Sequence, residues 1–323
     1  MIAASAARRR AALLAALLVA WIAGSVLGAG EHETAGARPM FQIEPAHAEF
    51  VPVLNSEEPI FVLVIGSDAR PDQDVNSQRA DSIHILAVNP AKHKATIVGI
   101  PRDSYVSIPD HGTTKINAAL AMGGPELVVA TVESLTGLTM DYWAITGFEG
   151  FNSMVNQVDG LVVDVPFAMD DGSSRAYFEP GVQRLPGDEA LAFARNRHDL
   201  PAGDFGRSEN QGLLMISALA QLRKEFAKDP SRLLDWVGAF TRNAESTVAL
   251  DELMNLAFTG TEVNHKTVVN IVAPGGSGMA GGLSVVTLDM AALQAISADL
   301  ADDGLLKKGN IPPSPNAPLL EGE

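Results

Sequence analysis

The chain contains no cysteine, which removes disulfides, thiolate metal sites and a cysteine nucleophile together and suits an exported bacterial protein. Basic residues are scarce as well: 23 Lys and Arg stand against 39 Asp and Glu, for a formal net charge of -16 over 323 residues. Phosphate-backbone affinity comes from a broad basic surface, so this balance argues against nucleic acid as a partner. Charged residues of both signs make up only 19% of the chain and hydrophobic ones 46%, which excludes a disordered chain and allows a large core. No internal repeat and no low-complexity break interrupts the middle of the sequence. Any anion site must therefore be local and focused.

The termini read as separate segments. Arg8, Arg9 and Arg10 precede an uncharged run from Ala11 to Gly30, whose twenty residues at 1.5 Å each reach about 30 Å, a hydrocarbon core. Residues 1–10 are expected to be a cytoplasmic basic segment and residues 11–30 a transmembrane signal anchor, with the remainder outside. A cleavable signal peptide is the competitor, since Leu27-Gly28-Ala29 would admit a peptidase; the apolar run exceeds the usual ~7–15-residue signal core. Pro39, Pro45 and Pro52 mark residues 31–58 as an extracellular linker, and Pro312, Pro313, Pro315 and Pro318 mark residues 306–323 as a disordered tail. A single domain over residues 59–305 is the simplest account.

Within it, short apolar runs alternate with helical periodicity. Phe61–Ile65, Ile83–Val88, Ala95–Ile100, Tyr142–Ile145, Leu161–Val165, Val268–Val272 and Ser284–Leu288 read as strands. Leu127–Leu135, Phe148–Val158, Asp188–Ala194 and Leu213–Phe226 read as helices. This alternation predicts an α/β/α sandwich with a central mixed β-sheet.

Arginine is concentrated beside aspartate at two places. One cluster runs from Asp68 and Arg70 through Arg79 and Asp81 to Arg102 and Asp103; the other comprises Arg195, Arg197, Asp204 and Arg207, with Gln211 one turn on. Guanidinium forks match phosphate oxygens in pairs, and carboxylates hold a hard divalent ion that bridges the same oxygens. Gly66-Ser67-Asp68 and Pro101-Arg102-Asp103 follow predicted strands, the loops where open α/β sheets bind ligands. The pairs Asp68/Arg70 and Arg79/Asp81 are two apart, so extended chain presents each pair on one side. Arg195 and Arg197 would diverge on a helix, so the helix from Asp188 is expected to end near Arg195. Asp204 then fits the N-cap of the next helix, whose N-terminus is itself an anion site. A phosphate or pyrophosphate site follows, against the alternative that each pair is a structural ion pair.

The blocks Phe61-Val-Leu-Val-Ile-Gly-Ser-Asp-Ala-Arg70, Arg79-Ala-Asp81, Ile100-Pro-Arg-Asp-Ser-Tyr-Val106, Lys115-Ile-Asn-Ala-Ala119, Leu185-Pro-Gly-Asp-Glu-Ala-Leu191, Arg195-Asn-Arg197 and Gly203-Asp-Phe-Gly-Arg207 with Gln211 resemble, in order, the signature blocks of the LytR-CpsA-Psr family. The resemblance spans residues 60 to 300 or so and implies a membrane-anchored transferase. Its members move a glycopolymer from a polyprenyl-pyrophosphate carrier onto a peptidoglycan sugar hydroxyl, with magnesium (or manganese) and an apolar lipid pocket. Carried over by position, Asp68 and Asp81 resemble the metal-binding aspartates. Arg79, Arg102, Arg195, Arg197, Arg207 and Gln211 resemble the pyrophosphate-binding set, with Arg70 and Asp204 in support. Arg102, Asp81 and Asp103 are the residues placed nearest the chemistry, Asp103 either as general base or as a group that orients Arg102. The chain departs from many relatives at Gly99, where they have Ser, and at Asn210, where an Arg is frequent. The same pyrophosphate would be presented by teichoic acid, capsule or arabinogalactan.

Two alternatives stay open: a prenyl-pyrophosphate phosphatase or pyrophosphatase with water as acceptor, and a non-catalytic lipid-phosphate-binding regulator of the cell envelope. Other features have plainer readings. Leu127–Ala130 and Leu213–Ile216 line a lipid tunnel or simply pack in the core. Gly276–Gly281 matches a dinucleotide fingerprint but leads into a strand, so a flexible loop is expected. His198, beside Arg197, could act as acid or base, though its plainer reading is an exposed loop histidine, and His84, with no histidine at a ligand spacing, reads as a packed strand residue.

Overall fold

Three consecutive β-branched and aliphatic runs build the centre of the molecule, because strands buried on both faces need apolar residues at successive positions. The computed structural model describes residues 58–320. In it β1 (Ile60–Ser67), β2 (Ala80–Asn89) and β3 (Lys94–Gly99) pair antiparallel in sequence order. A hairpin of β4 (Tyr105–Ile108) and β5 (Gly112–Lys115) leads into α1 (Ala118–Thr136) and then β6 (Tyr142–Thr146), which lies parallel to β1. Next come α2 (Phe148–Gln157), β7 (Leu161–Val165), β8 (Met169–Asp171), β9 (Ala176–Phe178), β10 (Gly181–Leu185) and α3 (Gly187–Arg195). The long α4 (Asp204–Lys228), α5 (Arg232–Asn243), β11 (Glu245–Ser246) and α6 (Leu250–Glu262) follow. The chain closes with β12 (Val269–Val272), β13 (Gly275–Ala280), β14 (Leu283–Leu288), α7 (Met290–Asp303) and α8 (Ala317–Leu320).

The main sheet has six strands in the order β11-β6-β1-β2-β3-β12, with β1/β6 and β3/β12 parallel and the other pairs antiparallel. Side chains alternate across it. Ile83 and Ile85 of β2 join Leu63, Ile65, Leu120, Val128 and Leu293 in one buried cluster beneath α1 and α7, whereas His84 between them faces α4. Helices therefore cover both faces, the expected α/β/α sandwich with a mixed sheet. A second cluster, with Val163, Val165, Phe178, Phe193 and Leu214, joins β7–β10 to α3 and α4. Each such side chain contributes about 1.5–3 kcal/mol by leaving water.

Among the described residues α1 alone is long and apolar enough to cross a membrane. Its Ala119, Leu120, Val128 and Val132 are buried in the core instead, and it kinks at Gly123–Gly124 ahead of Pro125, which supplies no backbone donor to the turn before it. Val128 and Leu214, from the two stretches weighed as tunnel lining, are likewise core residues.

Two expectations are corrected. Gly276–Gly281 is not a loop: β13 pairs with β14 through a two-residue turn at Gly281 and Gly282, whose φ of 56° and 81° glycine tolerates without a Cβ penalty. The supposed disordered tail is ordered at residues 306–320, where Asn316, 2% exposed, donates to Gly206 O at 3.1 Å and Asn210 Oδ1 at 3.2 Å. Prolines at 312, 313 and 315 stiffen an extended strap whose polar groups bond α4, so no apolar periodicity announced it. The anchor expected over 11–30, the basic segment 1–10 and all of the linker but Glu58 lie outside the described residues.

Candidate active site

Because β2 is antiparallel to both β1 and β3, the ends of β1 and β3 and the start of β2 share one edge of the sheet. That edge gathers Asp68, Arg79, Asp81, Arg102 and Asp103. Asp68 and Arg79 are locked reciprocally: Asp68 N donates to Arg79 O at 2.9 Å, and Arg79 N donates to Asp68 Oδ1 at 2.9 Å. Arg102 Nη1 donates to Asp81 Oδ1, and Lys115 Nζ lies 3.1 Å from Asp103 Oδ1. The backbone beneath is pinned in turn, with Asn117 N on Arg102 O and Ala80 N on Asn117 O, both at 3.1 Å. Arg70 and Arg79 are exposed at the rim.

The second cluster arrives on α4. Asp204 is the first helical residue, not the N-cap; that place is taken by Gly203, whose φ of 50° lies in the left-handed region glycine favours. This frees the Asp204 carboxylate from capping. Its Oδ1 sits 2.6 Å from Arg207 Nη2, 3.6 Å from Arg102 Nε and 3.9 Å from Arg197 Nη1. One carboxylate, only 11% exposed, thus draws together arginines from the β3 loop, the α3–α4 loop and α4. Burial alone would loosen the proton on Arg102, but Asp81 and Asp204 outweigh it and push its pKa up. For the more deeply buried Arg207 burial wins over Asp204, with Arg102 adding to it, and the pKa falls; a guanidinium still stays charged. Gln211 Nε2 donates to Ala194 O at 3.1 Å and lies 3.5 Å from Asp81 O, tying α3 and β2 to α4. Arg195 ends α3, as the spacing predicted, and lies 4.9 Å from the centre of the Phe148 ring.

Four buried residues support the site, and Asp171 among them had no motif to reveal it. Asp171, at the end of β8 and with a side chain 1% exposed, accepts from Arg197 N at 3.1 Å, His198 N at 3.2 Å and Ser173 N at 2.9 Å. Burial would raise its carboxyl, yet those bonds and the His198 ring hold it well below the usual carboxylate range. The only sequence signal was Asp171-Gly172, which reads as a turn. His84, fully buried, lies 3.0 Å from Ser208 O through Nε2 and 3.0 Å from Ser82 Oγ through Nδ1. The carbonyl requires Nε2–H, so Ser82 donates to Nδ1. Gly99 pairs with His84 across β2 and β3, and a Cβ there would fall within contact distance of Ser208 Oγ and 3.0 Å from His84 Nε2. Asn210, the other departure, is buried and receives Asn316.

The arrangement suits a multiply charged anion: one buried and two partly exposed guanidinium groups meet beside a helix N-terminus and the ends of two strands. Asp68 and Asp81 offer hard oxygen ligands beside it. Among the described residues no group of three or more His, Cys, Asp or Glu side chains is set to hold a metal.

The LytR_cpsA_psr family profile matches residues 27–302. A curated relative, the polyisoprenyl-teichoic acid–peptidoglycan teichoic acid transferase TagU of Bacillus cereus (strain AH820), is 37% identical over 208 residues, 63% of this chain and 65% of the relative. The transferase TagV of Bacillus subtilis (strain 168) is 33% identical over 182 residues, 54% of this chain and 46% of the relative. The chain thus spans less than two thirds of the length of these relatives. The crystal structure of B. subtilis TagV superposes with a TM-score of 0.67 at 27% identity, covering 77% of this chain and 98% of that one.

Proposed function

The chain belongs to the LytR-CpsA-Psr family, and on that premise we propose that it is a membrane-anchored transferase moving a glycopolymer from a polyprenyl-pyrophosphate carrier to a peptidoglycan sugar hydroxyl. The observation that carries this reading is the convergence of Arg102, Arg197 and Arg207 on Asp204, beside Asp81. Attack of the acceptor oxygen on the sugar-side phosphorus forms a P–O bond and breaks the bridging one, leaving the electron pair on the departing prenyl phosphate. Arginines fixed in advance stabilise that charge where it develops, without reorganisation. Arg102 and Arg197 are the partly exposed members that meet the phosphates; buried Arg207 sets the potential beneath them.

Asp68 and Asp81 would hold magnesium or manganese. Two carboxylates fit that role, because magnesium is commonly held by one or two carboxylates plus substrate phosphates and does not need a full protein cage. Bound there, the cation would neutralise phosphate charge. Gln211 and Asp68 keep the sheet edge and α4 in register for this. In the cell, residues 11–30 anchor the chain and the domain works on the outer face, where the carrier and peptidoglycan meet. The relatives' names favour teichoic acid as the polymer.

Mass spectrometry of products tests this. Incubated with a short polyprenyl-pyrophosphate glycan, peptidoglycan fragments and magnesium, the full chain yields a glycan–peptidoglycan adduct that Arg102→Ala and Asp81→Ala abolish. Released glycan phosphate without adduct would assign a hydrolase, and lipid binding without turnover a non-catalytic regulator.

A further inference from the structure

Resting on the transferase reading, we propose that His198 is the general base for the acceptor hydroxyl and that Asp171 is its positioning residue. The ring of His198 is 55% exposed while the carboxylate that grips it is 1% exposed. Nδ1 lies 3.1 Å from Asp171 Oδ2 and 3.2 Å from Oδ1, so Nδ1 carries the hydrogen and the lone pair sits on Nε2. Nε2 lies 3.4 Å from Nη2 of Arg197, whose Nη1 lies 3.9 Å from Asp204 Oδ1, so the basic nitrogen sits beside one of the arginines that meet at Asp204. Asp171 from β8 and Arg197 from its own loop are the charged groups that bond the ring among the described residues. An exposed imidazole oriented by a buried carboxylate beside an electrophile's binding groups is the arrangement general-base catalysis requires.

The other base considered, Asp103, has its carboxylate engaged by Lys115 Nζ at 3.1 Å. Nε2 of His198 meets Arg197 Nη2 at the longer distance of 3.4 Å, a contact that a phosphate bound to Arg197 would relieve. In the step, Nε2 takes the proton of the sugar hydroxyl as its oxygen bonds phosphorus, and the bridging oxygen leaves on the prenyl phosphate with the electron pair. The imidazolium returns its proton to solvent. Asp171 does not exchange a proton; its bonds from Arg197 N and His198 N also hold the loop in place.

The full chain and its His198→Ala, Asp171→Asn and doubly substituted forms are compared in the adduct assay, with and without added imidazole. In His198→Ala the loss of a positioned base lowers kcat about 10²-fold or more and leaves KM for the carrier little changed, as for an interaction made only in the transition state. Imidazole restores part of that turnover, and the double variant is no slower than His198→Ala, because a dyad acts as a unit. Turnover of His198→Ala near that of the unsubstituted chain, or a loss that imidazole does not relieve and that lies wholly in KM, overturns the base. An unsubstituted chain that makes no adduct overturns the transferase reading and the dyad with it.

Discussion

Replacing Asp204 with asparagine removes one negative charge and little else, so it isolates what holds the arginines together. Its Oδ1 lies 2.6, 3.6 and 3.9 Å from nitrogen atoms of Arg207, Arg102 and Arg197. At an effective dielectric of about 20, attractions at these distances are roughly 4–6 kcal/mol each before desolvation is subtracted. Desolvation of the four groups cancels most of it, and the measured cost of stripping one partner from a buried pair is about 3–5 kcal/mol. Asp204→Asn is therefore expected to lose about 3 kcal/mol of a domain stability on the order of 5–15 kcal/mol. At roughly 2–4 °C per kcal/mol, that is a Tm lower by about 6–12 °C. Urea unfolding and calorimetry of the chain read both quantities. Inorganic pyrophosphate supplies the missing charge, so it should recover more stability in the variant than it adds to the unsubstituted protein, with a ceiling near ~2.7 kcal/mol at a hundredfold excess over Kd. A variant within ~1 kcal/mol of its parent, the level of an exposed pair, would refute the claim that this carboxylate organises the site.

Three further outcomes follow from the supports of the site. Burial, with Arg207 nearby, pulls the pKa of His84 from 6.5 to about 4. The unfolded chain then binds the extra proton, so stability is complete above pH 6.5 and falls towards pH 4, by about 3 kcal/mol; His84→Gln should flatten that slope in pH-dependent urea titrations. Gly99→Ala drives a methyl group against Ser208 Oγ and His84 Nε2, costing about 1–3 kcal/mol; Ser208→Ala in the same chain should recover part of it in a double-mutant cycle. Asn316→Ala strands Asn210 Oδ1 as a buried acceptor and takes a second bond from Gly206 O, which keeps its place in the helix ladder; this costs about 1–3 kcal/mol and should speed amide exchange in the first turns of α4.

The sheet was legible because its strands are apolar at successive positions: the segments at Phe61, Ile83, Ala95, Tyr142 and Val268 all pair in it. β13 was not, since Gly275 through Gly278 carry almost no side chains to pattern. The loops after β1 and β3 announced one half of the site, because charge stood where strands end. The end of α3 at Arg195 was legible for a related reason, an arginine pair spaced wrongly for a helix. What no spacing contained was the docking of α4 onto the sheet, which alone brings residue 204 to residue 102. Asp171 was hidden more thoroughly, for an acidic residue before glycine reads as a turn until the fold lays Arg197 N and His198 N over it. The tail failed for the opposite reason: its prolines signalled disorder, and only the polar groups of α4 give it a place.

The central claim is that arginines organised by Asp204 hold a pyrophosphate, and calorimetric titration of the full chain in detergent with a short prenyl pyrophosphate and magnesium tests it most directly. Each charge-assisted bond to phosphate is worth about 1.5–3 kcal/mol, so Arg102→Ala and Arg197→Ala should each weaken binding at least about tenfold, while Arg242→Ala, whose side chain bonds Gln157 on the surface, should leave it unchanged. Equal affinity in all four proteins, or no binding by the unsubstituted chain, would contradict the assignment of this edge of the sheet as the pyrophosphate site.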